Sequence, residues 1–184
     1  MLTGKKIVLG VSGGIAAYKM ANVASMLSKL HADIHVVMTE NATHFITPET
    51  FEVLTGNHCY TDTFDRCMEL HVPHIALGTQ ADAILIAPAS ADVVGKIANG
   101  IADDMLTTCV LPATCPVMLA PSMNVHMYEN PIVQDNMKKL ASYGYEIIEA
   151  DEGYPGYRQR KASTGACTCG LYYPCLRNGQ RPCR

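Results

Sequence analysis

Three short segments of the chain place small residues, hydroxyls and an amide directly after apolar runs. The first is Gly10-Val11-Ser12-Gly13-Gly14-Ile15. Glycines at such a point let the backbone turn tightly and let an anion approach amide groups at a helix N-terminus. The plain alternative is an ordinary glycine turn. The second is Pro88-Ala89-Ser90-Ala91-Asp92. Its small residues and hydroxyl suit a phosphate, and Ser90 or Asp92 would equally cap the helix that follows. The third is Ala120-Pro121-Ser122-Met123-Asn124-Val125-His126-Met127-Tyr128. The Asn124 amide both donates and accepts, so it can grip a carboxylate or cap a helix. His71 and His74 precede another apolar run. Their spacing admits a metal, but no acidic or cysteine partner is suitably placed, and no metal is expected. Cys167, Cys169, Cys175 and Cys183 lie close together without a paired CxxC, so a zinc cluster is not expected either.

The elements that must position these segments alternate. Lys6–Val11 (KIVLGV), Asp33–Met38 (DIHVVM), Ala83–Ala87 (AILIA), Val117–Ala120 and Glu146–Glu149 read as strands. Ile15–Leu30 reads as a helix, Pro48 opens another, and Ile75–Gln80 is a short one. Ala91–Leu111 reads as one or two helices around Gly100, and Pro131–Tyr143 as an amphipathic helix. Apolar strands separated by helices predict a parallel sheet covered on both faces, a doubly wound α/β fold of flavodoxin or Rossmann type in three layers. Ligands in such folds bind at the carboxyl ends of the strands, where all three segments fall. The first segment is not GxGxxG, and the second strand ends in Met38-Thr39 with only Glu40 nearby as an acid, which argues against NAD.

Composition narrows the class. The chain has 184 residues, 48% hydrophobic and 17% charged, with a formal net charge of −3. That supplies one sizeable core and no basic field for nucleic acid or an anionic membrane. No leader and no spanning segment are read, and the eight cysteines are taken as free thiols, so a cytoplasmic protein is expected. From Asp151 onward no period survives. That stretch holds six of the 14 Lys and Arg residues and four of the eight Cys. Residues 1–150 are expected to form the domain, and 151–184 a divergent, loop-like or disordered tail.

Taken in order, SGGIAAYK (Ser12–Lys19), HIALGTQADAILIAPASADVVGKIANGIADDMLTT (His74–Thr108) and APSMNVHMYENP (Ala120–Pro131) resemble the homo-oligomeric flavin-containing cysteine decarboxylases. The likeness spans Lys5–Ala150 and is greatest to the coenzyme A branch of that family. It implies FMN as cofactor, on Gly13, Gly14 and Ile15, on Asn41, Ala42 and Thr43, and on Ser90, Ala91, Asp92 and Val93. Phe45 would lie near the flavin ring, and Ser122 would meet the cofactor through its backbone. His74 matches the family's active-site histidine, and Asn124 the asparagine that grips the substrate carboxylate.

The implied activity is loss of the cysteine carboxylate of 4'-phosphopantothenoylcysteine to give 4'-phosphopantetheine. Oxidation of the thiol to a thioaldehyde provides the electron sink that a cysteine carboxylate lacks, and decarboxylation then yields an enethiol. A cysteine donates a proton in the reductive return. The alternatives are oxidative decarboxylation of a peptide's C-terminal cysteine and a flavoprotein regulator without catalysis. Implied partners are a small-molecule substrate, further copies in a homotrimer or dodecamer, and a phosphopantothenate–cysteine ligase on a separate chain.

The coenzyme A branch carries a clamp of the form GxLACGxxGxGRM after its last strand. Here Gly165-Ala166-Cys167-Thr168-Cys169-Gly170-Leu171-Tyr172 stands in that place, with Cys169 or Cys167 as the clamp cysteine and Cys169 preferred. No GxGR element follows; Tyr173-Pro174-Cys175-Leu176-Arg177 does not replace it. The residues after about Gly170 are read either as a divergent tail or as an out-of-frame continuation. In both cases weak turnover with escape of the enethiol is expected.

Overall fold

Strand β1 (Lys6–Val11) shows why the chain folds in layers. Ile7, Leu9 and Val11 join the core on one face of the sheet, and Val8 joins the core on the other. The period of two in a strand separates them. The structure is a computed structural model that describes residues 2–64 and 72–148. After β1 come a 3-10 turn (Ile15–Lys19), α1 (Met20–Lys29), β2 (Asp33–Met38), α2 (Glu40–Thr43), α3 (Pro48–Thr55) and β3 (Cys59–Tyr60). Then follow α4 (Pro73–Gln80), β4 (Ala83–Ala89), α5 (Ala91–Ala98), α6 (Met105–Val110) and β5 (Val117–Pro121). The described chain closes with α7 (Val125–Tyr128), α8 (Pro131–Ser142) and β6 (Glu146–Ile147).

The six strands form one sheet in the order β3-β2-β1-β4-β5-β6, and every neighbouring pair is parallel. The central strand β4 is buried along its whole length, as a strand covered on both faces must be. One face packs Val23, Ala24 and Leu27 of α1 and Phe51 of α3. The other packs Leu77 of α4, Val93 and Val94 of α5, Leu106 of α6 and Leu140 of α8. This is the doubly wound, three-layer α/β arrangement expected. Gly10 lies on the second face, where a Cβ would stand 2.5 Å from Leu106 Cδ1. The missing side chain lets α6 sit directly against β1.

Three elements differ from the sequence reading. The expected helix at 15–30 opens as a 3-10 turn before α1, a common tightening at a helix start. Strand β3 has only two residues, too few to show a period. Helix α7 is a single turn in the segment where Asn124 reads as helix cap or ligand and to which no helix range is given. The stretch 91–111 resolves into two helices, with Gly100 at φ 69° between them.

Candidate functional site

The strand order reverses between the parallel neighbours β1 and β4: β2 and β3 are added outward on one side, β5 and β6 on the other. A crevice opens at such a switch point, at the carboxyl ends of the strands. The turns after β1, β2, β4 and β5 meet there and are tied to one another. Ser12, fully buried, donates through Oγ to the Pro88 carbonyl at 2.7 Å and accepts from the Ser90 amide at 2.8 Å. Its own amide donates to the same Pro88 carbonyl at 3.3 Å. The Thr39 amide donates to the Val11 carbonyl at 3.0 Å, and the Ser122 amide to the Ala89 carbonyl at 2.9 Å.

The residues expected to hold a cofactor fall on these turns. A Cβ on Gly13 would stand 2.5 Å from Asn41 Cβ, so glycine is what allows the β1 turn to lie against α2. A Cβ on Gly14 would meet nothing within 4 Å, leaving that stretch of backbone open to approach. Ile15 is exposed at the start of the 3-10 turn, and Phe45, just beyond α2, is also exposed. Asn41, Ala42 and Thr43 lie in α2, with Ala42 buried and Asn41 exposed. Ser90 caps α5 by accepting from the Val93 amide at 3.3 Å. Ala91, Asp92 and Val93 form the first turn of that helix. Asp92 would set a negative charge beside an anion, but its carboxylate pairs back along the helix with Lys96 at 3.4 Å. Lys96 also meets Asp103 at 3.0 Å and Asp104 at 3.4 Å. The hydrogen bond to Asp103 leads in holding the Lys96 ammonium above its usual range, so it stays charged.

Two side chains at this edge carry a polar atom that is buried and has no hydrogen-bond partner among the described residues. One is Thr39 Oγ1, at the end of β2, and the other is His74 Nδ1. His74 stands in the first turn of α4, which runs back along the sheet between β3 and β4, so that turn lies at the carboxyl edge. An orphaned buried hydroxyl normally has a partner in the working protein. The sequence reading missed Thr39, because a threonine at a strand end carries no pattern. Asn124, exposed, caps α7 by accepting from the His126 amide at 2.9 Å. Its Oδ1 is therefore committed, and its Nδ2 is left as the donor. Ser122, half-buried, lies between β5 and Asn124. Cys169 lies outside the described residues, as do His71, Cys167, Cys175 and Cys183, on which the metal alternatives rest.

A parallel sheet with this order, carrying small-residue turns at its carboxyl edge, defines a doubly wound α/β protein of Rossmann or flavodoxin type. The Flavoprotein family matches residues 1–162, and the chain belongs to that family. It is 49% identical over 154 residues to the coenzyme A biosynthesis bifunctional protein CoaBC of Bacillus subtilis (strain 168), covering 84% of this chain and 38% of that protein. It is 44% identical over 147 residues to the probable phosphopantothenoylcysteine decarboxylase of Streptococcus mutans serotype c (strain ATCC 700610 / UA159), covering 79% of this chain and 82% of that protein. Among solved structures, the FMN-dependent cysteine decarboxylase SpaF superposes with a TM-score of 0.78 at 39% identity, over 85% of this chain and 90% of that one. The chain thus spans well under half the length of the bifunctional relatives it matches. Among the described residues no helix is long and apolar enough to cross a membrane.

Proposed function

We propose that this chain binds FMN at the carboxyl edge of its sheet and decarboxylates the cysteine of 4'-phosphopantothenoylcysteine to give 4'-phosphopantetheine. The observation that carries the reading is the convergence, through buried Ser12, of the β1 and β4 turns on one edge. The orphaned Thr39 hydroxyl and the open backbone at Gly14 fit a phosphate-bearing group at that edge. Gly13, Gly14, Ile15, Asn41, Ala42, Thr43 and Ser90 to Val93 would hold the phosphate and ribityl chain, with Thr39 added to them. Phe45 would flank the ring, and Ser122 would meet it through its backbone. When bound, FMN would supply a two-electron acceptor for oxidation of the substrate thiol, and the resulting carbon–sulfur double bond would accept the electrons freed as carbon dioxide departs.

The chain's own residues orient and protonate. Asn124 Nδ2 donates to the substrate carboxylate. His74, with an uncommitted Nδ1, takes the thiol proton. Cys169 supplies the proton in the return step. Residues 1–150 form the catalytic domain, working in the cytoplasm as a homotrimer or dodecamer. Exposed Ile15 and Phe45, beside the site, are apolar surface that a neighbouring copy would cover. A phosphopantothenate–cysteine ligase activity would supply the substrate. The likeness to the peptidyl-cysteine decarboxylase EpiD, at 26% identity and a TM-score of 0.72, favours one second reading, a peptide's C-terminal cysteine as substrate.

The test is to record the visible spectrum of the purified protein and to follow phosphopantothenoylcysteine and a cysteine-ended peptide by mass spectrometry. Slow loss of carbon dioxide from the first substrate is the expected result, with part of the product escaping two hydrogens lighter than phosphopantetheine. A product two hydrogens lighter than phosphopantetheine means that the return step fails. A colourless protein that takes up no added FMN ends the reading.

A further inference from the structure

Helix α7 is one turn long, and none of its residues is buried. A lone turn fixes several dihedrals in exchange for very few hydrogen bonds, so it is unfavourable by itself. Val125, His126 and Tyr128 have only modest helix propensity and do not offset this. Tyr128 leans partly buried on the second core, and polar bonds hold the two ends of the turn. At the N-terminal end, Asn124 Oδ1 accepts from the His126 amide. At the C-terminal end, Gln134 Nε2 donates to the Tyr128 carbonyl at 2.6 Å in a partly buried bond. Gln134 belongs to α8, whose Met137 and Leu140 are anchored in the core and whose own start is capped by Asn130 Oδ1 at 2.9 Å from the Ile132 amide. A turn without buried residues is thus tied, through one side-chain amide, to a helix that has them.

We propose that Gln134 is a positioning residue for Asn124. By holding the Tyr128 carbonyl it fixes α7, and with it the arrangement that commits Asn124 Oδ1 to the cap and presents Nδ2 outward. The distinction matters chemically: Nδ2 can donate to a carboxylate, whereas Oδ1 in its place would repel one. The proposal rests on the reading of Asn124 given above and extends it to a residue that never touches substrate.

Two variants test it in the flavin-loaded protein. Gln134→Met keeps length and volume but has no donor; Gln134→Lys restores one. Gln134→Met is expected to speed amide hydrogen exchange across residues 125–129, read at millisecond-to-second resolution, while the flavin spectrum is unchanged. It should raise KM for phosphopantothenoylcysteine about tenfold, with kcat within about threefold of the parent, as loss of one partly buried hydrogen bond implies. Gln134→Lys should recover most of both effects. Unchanged exchange in Gln134→Met overturns the clamp. Faster exchange with an unchanged KM, or failure of Gln134→Lys to recover KM, overturns the positioning role. A parent protein that holds flavin but releases no carbon dioxide overturns the functional reading instead, and the exchange result still reports whether the clamp exists.

Discussion

The two sides of the candidate site are built differently. The β1 and β4 turns are joined by a buried hydroxyl that is satisfied as both donor and acceptor. The segment after β5 carries Asn124 at the surface, on a helical turn held by amides at its two ends. The first side is fixed from within the fold; the second is trimmed from its surface. That is the division expected where a resident cofactor needs a preformed cradle and a transient substrate needs a donor that can be set and released.

The comparison breaks first at Ser12. Ser12→Ala leaves the part-buried Ser90 amide short of its acceptor and weakens the pairing of the Pro88 carbonyl in its buried bond. A loss of about 2–4 kcal/mol in urea unfolding is expected, from roughly 1–3 kcal/mol for each buried group left unpaired. Flavin should be lost on dialysis. If flavin content holds, the buried side is not the cofactor side. Next in size is His74→Asn, which should retain flavin and lower kcat by about 100-fold or more, because an amide cannot move the proton. A variant that keeps parent turnover removes His74 from the chemistry.

Asn124→Asp sharpens the contrast. Aspartate caps a helix as well as asparagine does, so α7 should stay in place. The outward donor becomes a carboxylate that repels the substrate's own. KM should rise about tenfold with flavin retained, since a like charge placed beside a carboxylate disfavours its ionised form. An unchanged KM would mean that α7 does not face the substrate.

A further effect, confined to alkaline pH, concerns the core beneath both sides. Burial, more than the nearby carboxylates, pushes the Cys59 and Cys109 thiols up to about 12 from a usual 9.0. In the unfolded chain they ionise near 9, and in the folded protein only near 12. Their stabilisation is therefore complete below pH 9 and drains away as the pH rises toward 12. Unfolding free energy should fall above pH 9 by at most about 1.4 kcal/mol per pH unit for each thiol. Cys59→Ala with Cys109→Ala should flatten that slope in denaturant melts across pH 8–11.

Much of this architecture is written in residue patterns, and the gaps have physical reasons. The runs KIVLGV and AILIA are legible because a strand covered on both faces must be apolar throughout. Pro48 at the first position of α3 and Gly56 in the left-handed region after it mark that helix's two ends. Strand β3 is illegible because Cys59 and Tyr60 become a strand only by lying beside Val36 and Val37. Gln134 reads as one more polar residue on an amphipathic helix; its hydrogen bond to Tyr128 exists only once α7 has turned back on α8. Asn124 was legible as cap or ligand, and the fold shows that the cap uses one end of its amide and leaves the other.

The Ser12 bond also sets an order of assembly. Its partners are 76 and 78 residues further along the chain. Closing so long a loop is entropically slow and is rewarded only when the distant strands pair. The glycine turn after β1 therefore cannot acquire its final shape on a growing polypeptide until β4 has been made and laid beside β1. The cradle matures only after β4, although the residues that open it precede its partners by 76 and 78 positions.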